Sequence, residues 1–130
     1  MKNRDIYALA LSILAEDGDP IDNGDYEERA GYLLGAFCSE TAAVDRMLCD
    51  ADGVDARGGA LPIYLSMDEE FPLHHRLTGA AGYYLAAMLI LEEDAELSDT
   101  LFARYCDAVS ALCTGLPMKL SAIGDRYGIV

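Results

Sequence analysis

From Leu77 to Leu91 the chain runs fifteen residues, LTGAAGYYLAAMLIL, without a single charge. Apolar groups fall on every side of a helical projection of this run, and a helix of that kind has to be buried all round. Fifteen residues at helical rise span about 22 Å, short of the roughly 30 Å of hydrocarbon that a membrane helix crosses. The run therefore predicts a central core helix rather than an anchor, set within Phe71–Asp94 and started by Pro72. Gly79, Gly82 and Ala86, at i, i+3 and i+7, form a small-residue stripe that would admit a neighbouring backbone. Tyr83 and Tyr84 each bring a large ring and a hydroxyl that needs a partner when buried.

The rest of the composition fits one domain around such a helix. The chain has 130 residues, enough for a single core and too few for two. Its hydrophobic fraction is 52%, more than four small helices easily hide, which points to subunit contacts. Net charge is −14, from 23 acidic against 9 basic residues. Such a surface repels phosphate, and sequence-specific nucleic-acid binding would need cation clusters that this chain lacks. An acidic wall that lets DNA pass without holding it remains compatible. The four cysteines, Cys38, Cys49, Cys106 and Cys113, show no Cys-x-x-Cys spacing, and no signal-peptide pattern opens the chain. They are expected as buried, reduced thiols acting as small hydrophobes, in a cytoplasmic protein and not one of a membrane.

Three further helices follow from periodicity. Ile6, Leu9, Ala10, Ile13 and Leu14 predict a first helix, capped by Asn3 and ending near Ala15. A second is predicted from about Tyr26 to Cys49. Its buried face is Tyr26, Ala30, Leu33, Leu34, Phe37, Cys38, Val44 and Leu48, with Glu28, Arg29, Glu40 and Arg46 pointing away. Gly31 and Gly35 on this helix suggest close packing against another helix, at some loss of helix propensity. Between Asp50 and Met67 the pattern collapses into a long loop, read as a partner contact. Leu61–Leu65 is expected as a short extended piece with Ile63 and Leu65 on one side and Tyr64 on the other. Ser66–Glu69 matches a capping box around one turn. Ser98 is the expected cap of a last helix, whose apolar face is Leu101, Phe102, Tyr105, Cys106, Val109, Leu112 and Cys113 and which Gly115 and Pro117 end.

Sites of chemistry are scarce. Asp17, Asp19, Asp25 and Glu28 would occupy positions 1, 3, 9 and 12 of a calcium-binding loop. The required glycine is replaced by Asp22, position 5 is Ile21 and position 8 is Gly24, so no calcium site is expected. His74 and His75 are adjacent and point about 100° apart on a helix, unlike an i, i+4 metal pair. They are expected as partly exposed residues of a first helical turn. Neither a nucleophile-elbow serine nor a phosphate loop occurs, so no catalytic residue, cofactor or metal is assigned. The last fourteen residues, PMKLSAIGDRYGIV, lack helical periodicity yet carry Leu120, Ile123, Tyr127, Ile129 and Val130. Lys119 and Arg126 against Asp125 make this arm slightly positive beside a strongly negative body. Residues 1–116 are thus read as a helical domain and residues 117–130 as a C-terminal arm, with Leu120, Ile123, Arg126, Tyr127 and Ile129 as candidate subunit contacts.

Four stretches, in chain order, carry a likeness to a known group: RDIYALALSILAE, DYEERAGYLLGAF, LSMDEEFPLHHRLTGAAGYYLAAMLILEEDAELSDTLFARYCDAVSAL and GDRYGI. In this order of elements the chain resembles the small, acidic, helical head–tail connector proteins of tailed bacteriophages and prophages. That resemblance implies an all-α bundle of about four main helices with a long central loop and an extended C-terminal arm. It also implies a non-enzymatic subunit of an oligomeric ring beneath the portal, in contact with portal, stopper or tail components. The alternative reading, from a different class, is a bacterial cytoplasmic adaptor or regulatory module that binds another protein through its acidic face. An enzyme using Cys or His ranks last.

Overall fold

The computed structural model describes residues 1–16, 25–55 and 58–116. Over these residues the fold is all-α, with helices α1 (Asn3–Glu16), α2 (Asp25–Asp52), α3 (Thr78–Ile90) and α4 (Ala95–Thr114) and a 3₁₀ turn at His75–Leu77. α3 is the charge-free run, and nine of its thirteen residues are buried between α1, α2 and α4. No helix among the described residues is long and apolar enough to cross a membrane.

Phe37 on α2 is the hub of the core. Its ring lies 5.6 Å from Tyr84 of α3, 5.9 Å from Tyr105 of α4 and 6.2 Å from Phe71 of the long loop that joins α2 to the 3₁₀ turn (residues 53–74), centroid to centroid. Tyr84 and Tyr105 close the cluster edge to face at 5.2 Å. Tilted and edge-on pairs of this kind add to plain area burial. One ring from each of α2, α3, α4 and the loop therefore fixes how these elements meet.

The end of the long loop packs into the core, while the described residues from 50 to 60 are exposed. Leu65, Met67, Phe71 and Leu73 are all buried. The loop runs back along α2, and the Leu65 N–H donates to the Gly31 carbonyl (3.0 Å). Gly31 and Gly35 thus admit a loop, not a helix: a Cβ at Gly31 would meet the Tyr64 ring (Cζ at 2.6 Å) and one at Gly35 the Ile63 carbonyl (C at 2.7 Å). Strict alternation fails here too, because Leu65 is buried while Ile63 is 81% exposed and Tyr64 43%. Backbone seated on a glycine stripe does not keep the period-two geometry of a free strand.

The loop also caps α1. The Asn3 and Arg4 N–H groups, orphans of the first turn, donate to the Glu69 and Met67 carbonyls at 3.0 Å each. Lys2, not Asn3, stands before the helix, and the Asp5 carboxylate accepts its N–H at 2.9 Å. Asn3 is fully buried and ties α1 to the loop by donating Nδ2–H to the Ser66 carbonyl (2.7 Å). Ser66–Glu69 does turn, with Glu69 N–H donating to Ser66 O at 3.2 Å.

Other boundaries move for identifiable reasons. Pro72 does not start α3: Asp45 of α2 accepts the His74 N–H, His74 itself is extended (φ −57°, ψ 141°), and the helix waits for the 3₁₀ turn. α4 starts at Ala95 under Asp94, whose carboxylate accepts the Leu97 N–H (3.0 Å). Ser98 is instead buried inside α4, donating its hydroxyl to the Ala87 carbonyl of α3 (2.8 Å). Of the small-residue stripe, Gly82 receives the Leu9 side chain and Ala86 is buried, but Gly79 faces open space. Leu9 itself stays 37% exposed, lying across the α1–α3 groove rather than in the core. Arg29 is only partly solvated; it donates to the Met88 carbonyl near the end of α3 at 3.3 Å, where a cation suits the helix dipole. Cys38 and Cys49 are buried thiols outside any disulfide, as expected, whereas Cys106 is exposed and Cys113 half-buried on α4.

Candidate functional site

The last turns of α2 and the segment before α3 enclose a cleft of about 360 Å³. Asp45, Cys49 and Asp52, at i, i+4 and i+7, line one wall from a single helix face. Val54 and Asp55 extend that wall, and Pro72, Leu73, His74 and His75 form the other. Asp45 sits on the buried stripe of α2, only 4% exposed. A carboxylate there must be hydrogen-bonded, and it is: Oδ1 accepts the His74 backbone N–H at 2.7 Å and the Cys49 thiol at 3.7 Å.

His74 is the most heavily engaged side chain of the cleft, with its side chain 5% exposed. Its Nδ1 accepts the Arg76 N–H (3.2 Å), capping the 3₁₀ turn. An imidazole that accepts at Nδ1 carries its proton on Nε2, and Nε2 faces Asp52 Oδ2 at 2.5 Å. The His75 ring stacks on it at 4.4 Å. The two histidines thus part company: His74 is buried and His75 exposed, against the expectation of two partly exposed residues in a helical turn.

These contacts decide what the cleft can do chemically. A general base needs a free nitrogen lone pair, and that of His74 is taken by Arg76 N–H. A cysteine nucleophile needs thiolate character. Burial pushes the Cys49 thiol up from its ordinary range, and the neighbouring Asp45, Asp50 and Asp52 charges add to that. Among the described residues no three His, Cys, Asp or Glu side chains gather to hold a metal ion. Asp45 and Asp52 of α2 both hold His74, and so fasten the end of α2 to the segment before α3.

The calcium-loop positions Asp17 and Asp19 lie outside the described residues, while Asp25 and Glu28 stand in the first turn of α2. The candidate contacts Leu120, Ile123, Arg126, Tyr127 and Ile129 also lie outside them. What the described surface does present is apolar: Ile63 and Tyr64, with Tyr32 (55% exposed) edge-on to Tyr64 at 4.9 Å, and Leu91 and Phe102 elsewhere. Comparison with known proteins gives no matching family model, no matching curated protein and no matching solved structure.

Proposed function

We propose that this chain is a non-enzymatic assembly subunit of a phage or prophage head–tail junction, forming an oligomeric ring beneath the portal. The observation that carries this reading is the state of the cleft. His74 and Cys49 are hydrogen-bonded into the fold, so the cleft reads as a clasp between α2 and the segment before α3. Large apolar side chains, meanwhile, stand exposed on an acidic body: Ile63, Tyr64, Tyr32 and Phe102. Exposed apolar groups of this size suit contacts between subunits. The net charge of −14 suits a wall that lets DNA pass. The resemblance in sequence supplies the setting, with the portal above and stopper or tail components below.

Co-expression with the portal protein of the same prophage, followed by affinity capture on the portal and electron microscopy, tests this. The expected result is a ring of this chain on the portal. Capture of the portal alone contradicts it. The adaptor alternative predicts a complex of low, fixed stoichiometry with a cytoplasmic protein and no ring.

A further inference from the structure

Three exposed apolar side chains gather on the outer side of α2. Tyr32 of the helix meets Tyr64 of the loop edge-on at 4.9 Å, and Ile63 adjoins Tyr64. Among the described residues Ile63, at 81%, is the most exposed large hydrophobic. The group is anchored from below by backbone. The Tyr64 ring and the Ile63 carbonyl take the space that side chains at Gly31 and Gly35 would need, and the Leu65 N–H donates to the Gly31 carbonyl (3.0 Å). Leu65 is buried, so the two residues before it stand on fixed backbone. Groups fixed in advance lose less freedom on binding. Seating Leu65 asks nothing of the side chain at position 63, and an isoleucine in water adds nothing to the fold.

The charges around the patch decide what fits it. From Gly58 to Leu65 the loop carries no charge. On α2 from Asp25 to Ala43 the exposed charged residues are Asp25, Glu27, Glu28 and Glu40, all acidic. Arg29, the one base in that stretch, is partly buried and donates to the Met88 carbonyl at 3.3 Å. Glu28 stands one helical turn before Tyr32 on the same side. A second copy docked face to face would set this acidic border against itself. A cation is favoured twice, by the Glu28 carboxylate and by the exposed tyrosine ring. We propose that Tyr32, Ile63 and Tyr64 form the docking site for a basic segment of a partner protein. A Lys or Arg of that segment lies against the tyrosines beside Glu28, and an apolar side chain covers Ile63. The site deepens the assembly reading and rests on it only for the partner's being a junction protein.

A random-peptide library selected on the immobilised full chain supplies the probes. The expected peptides combine Lys or Arg with an aromatic or aliphatic residue, and synthetic copies shift the amide resonances of residues 31–36 and 61–65. Ile63→Ser combined with Tyr32→Gln alters only exposed side chains, so it should keep the melting temperature and weaken these peptides about tenfold or more. Glu28→Gln should weaken them less and flatten their salt dependence. Selected peptides without a base, no selected peptide, or binding that the double variant keeps overturns the site. Self-association that the double variant abolishes, without peptide binding, gives the patch to a second copy and overturns it too. A ring on the portal without basic peptides overturns the site and leaves the assembly reading standing. Basic peptides bound by a chain that forms no ring keep the site and remove the junction setting.

Discussion

The carbonyl of Ile63 occupies the space that a side chain at Gly35 would need, so the middle of α2 is shaped by a loop some thirty residues later. A helix gives up propensity at each glycine. Here that loss lets backbone lie on backbone and places Leu65 in the core while Ile63 faces solvent. The obstacle at Gly35 is a main-chain atom, whereas at Gly31 it is the ring of Tyr64, a side chain 43% exposed.

The two glycines should therefore respond differently to a methyl group. Gly35→Ala is expected to destabilise by about 1–3 kcal/mol, because the loop backbone has to shift. Gly31→Ala should cost less, since the Tyr64 ring can turn aside. Gly79, exposed and facing open space, should gain up to about 1 kcal/mol on Gly79→Ala. Urea unfolding of the three variants gives the order, and a Gly35→Ala chain as stable as the parent contradicts the seating of the loop.

Gly82 is the contact point of α1 and α3, and a Cβ there would lie 2.6 Å from Leu9 Cδ2. That atom ends a flexible, partly exposed side chain, so Gly82→Ala should be nearly neutral as Leu9 swings outward. Gly82→Leu has no such relief and should destabilise by roughly 1–3 kcal/mol. Thermal unfolding that shows the leucine variant above the parent contradicts the α1–α3 packing.

In the cleft, Asp45→Ala leaves the buried His74 N–H without its acceptor and should cost about 1–3 kcal/mol. Asp45→Asn retains an acceptor and should recover most of that. Hydrogen exchange at the His74 amide reads the same bond directly: fast exchange in the alanine variant, with protection largely kept in the asparagine variant.

Sequence legibility followed the range of the interactions. α3 was legible because one run of fifteen residues carries its whole burial signature, and α1, α2 and α4 because periodicity is local. The partners of Gly31 and Gly35 were not, since a small-residue stripe states that something comes close and not what. The start of α3 lies later than Pro72 because Asp45, 29 residues away in sequence, holds the His74 N–H and His74 caps the 3₁₀ turn. The cleft had one available sign: Asp45 lies in helical register with Phe37, Cys38, Thr41 and Leu48, a charge on an otherwise buried stripe. Its three stretches, around Asp45, Val54 and His74, meet only in the fold.

Alkaline pH should weaken the aromatic hub. Burial foremost, and then the Glu40 charge, push the Tyr105 phenol from 10.0 up to about 12. Tyr84 shifts the same way, again by burial and then Glu40. Above pH 10 the unfolded chain loses these protons first and binds fewer than the folded chain, so stability falls as pH rises through 10 to 12. Below pH 10 this contribution is fully present. Tyr105→Phe should make the alkaline loss shallower, which denaturant titrations at pH 8 to 12 would read.

Assembly through the last fourteen residues is the most direct test of a ring-forming subunit. Sedimentation velocity of the full chain and of a chain ending at Leu116, over rising concentration, measures this. The full chain should form closed multiples of its 14.0 kDa subunit, while the shortened chain keeps its helical content and melting temperature and stays monomeric. A shortened chain that assembles as well as the full one, or that unfolds, contradicts the account, as does a full chain that remains monomeric throughout.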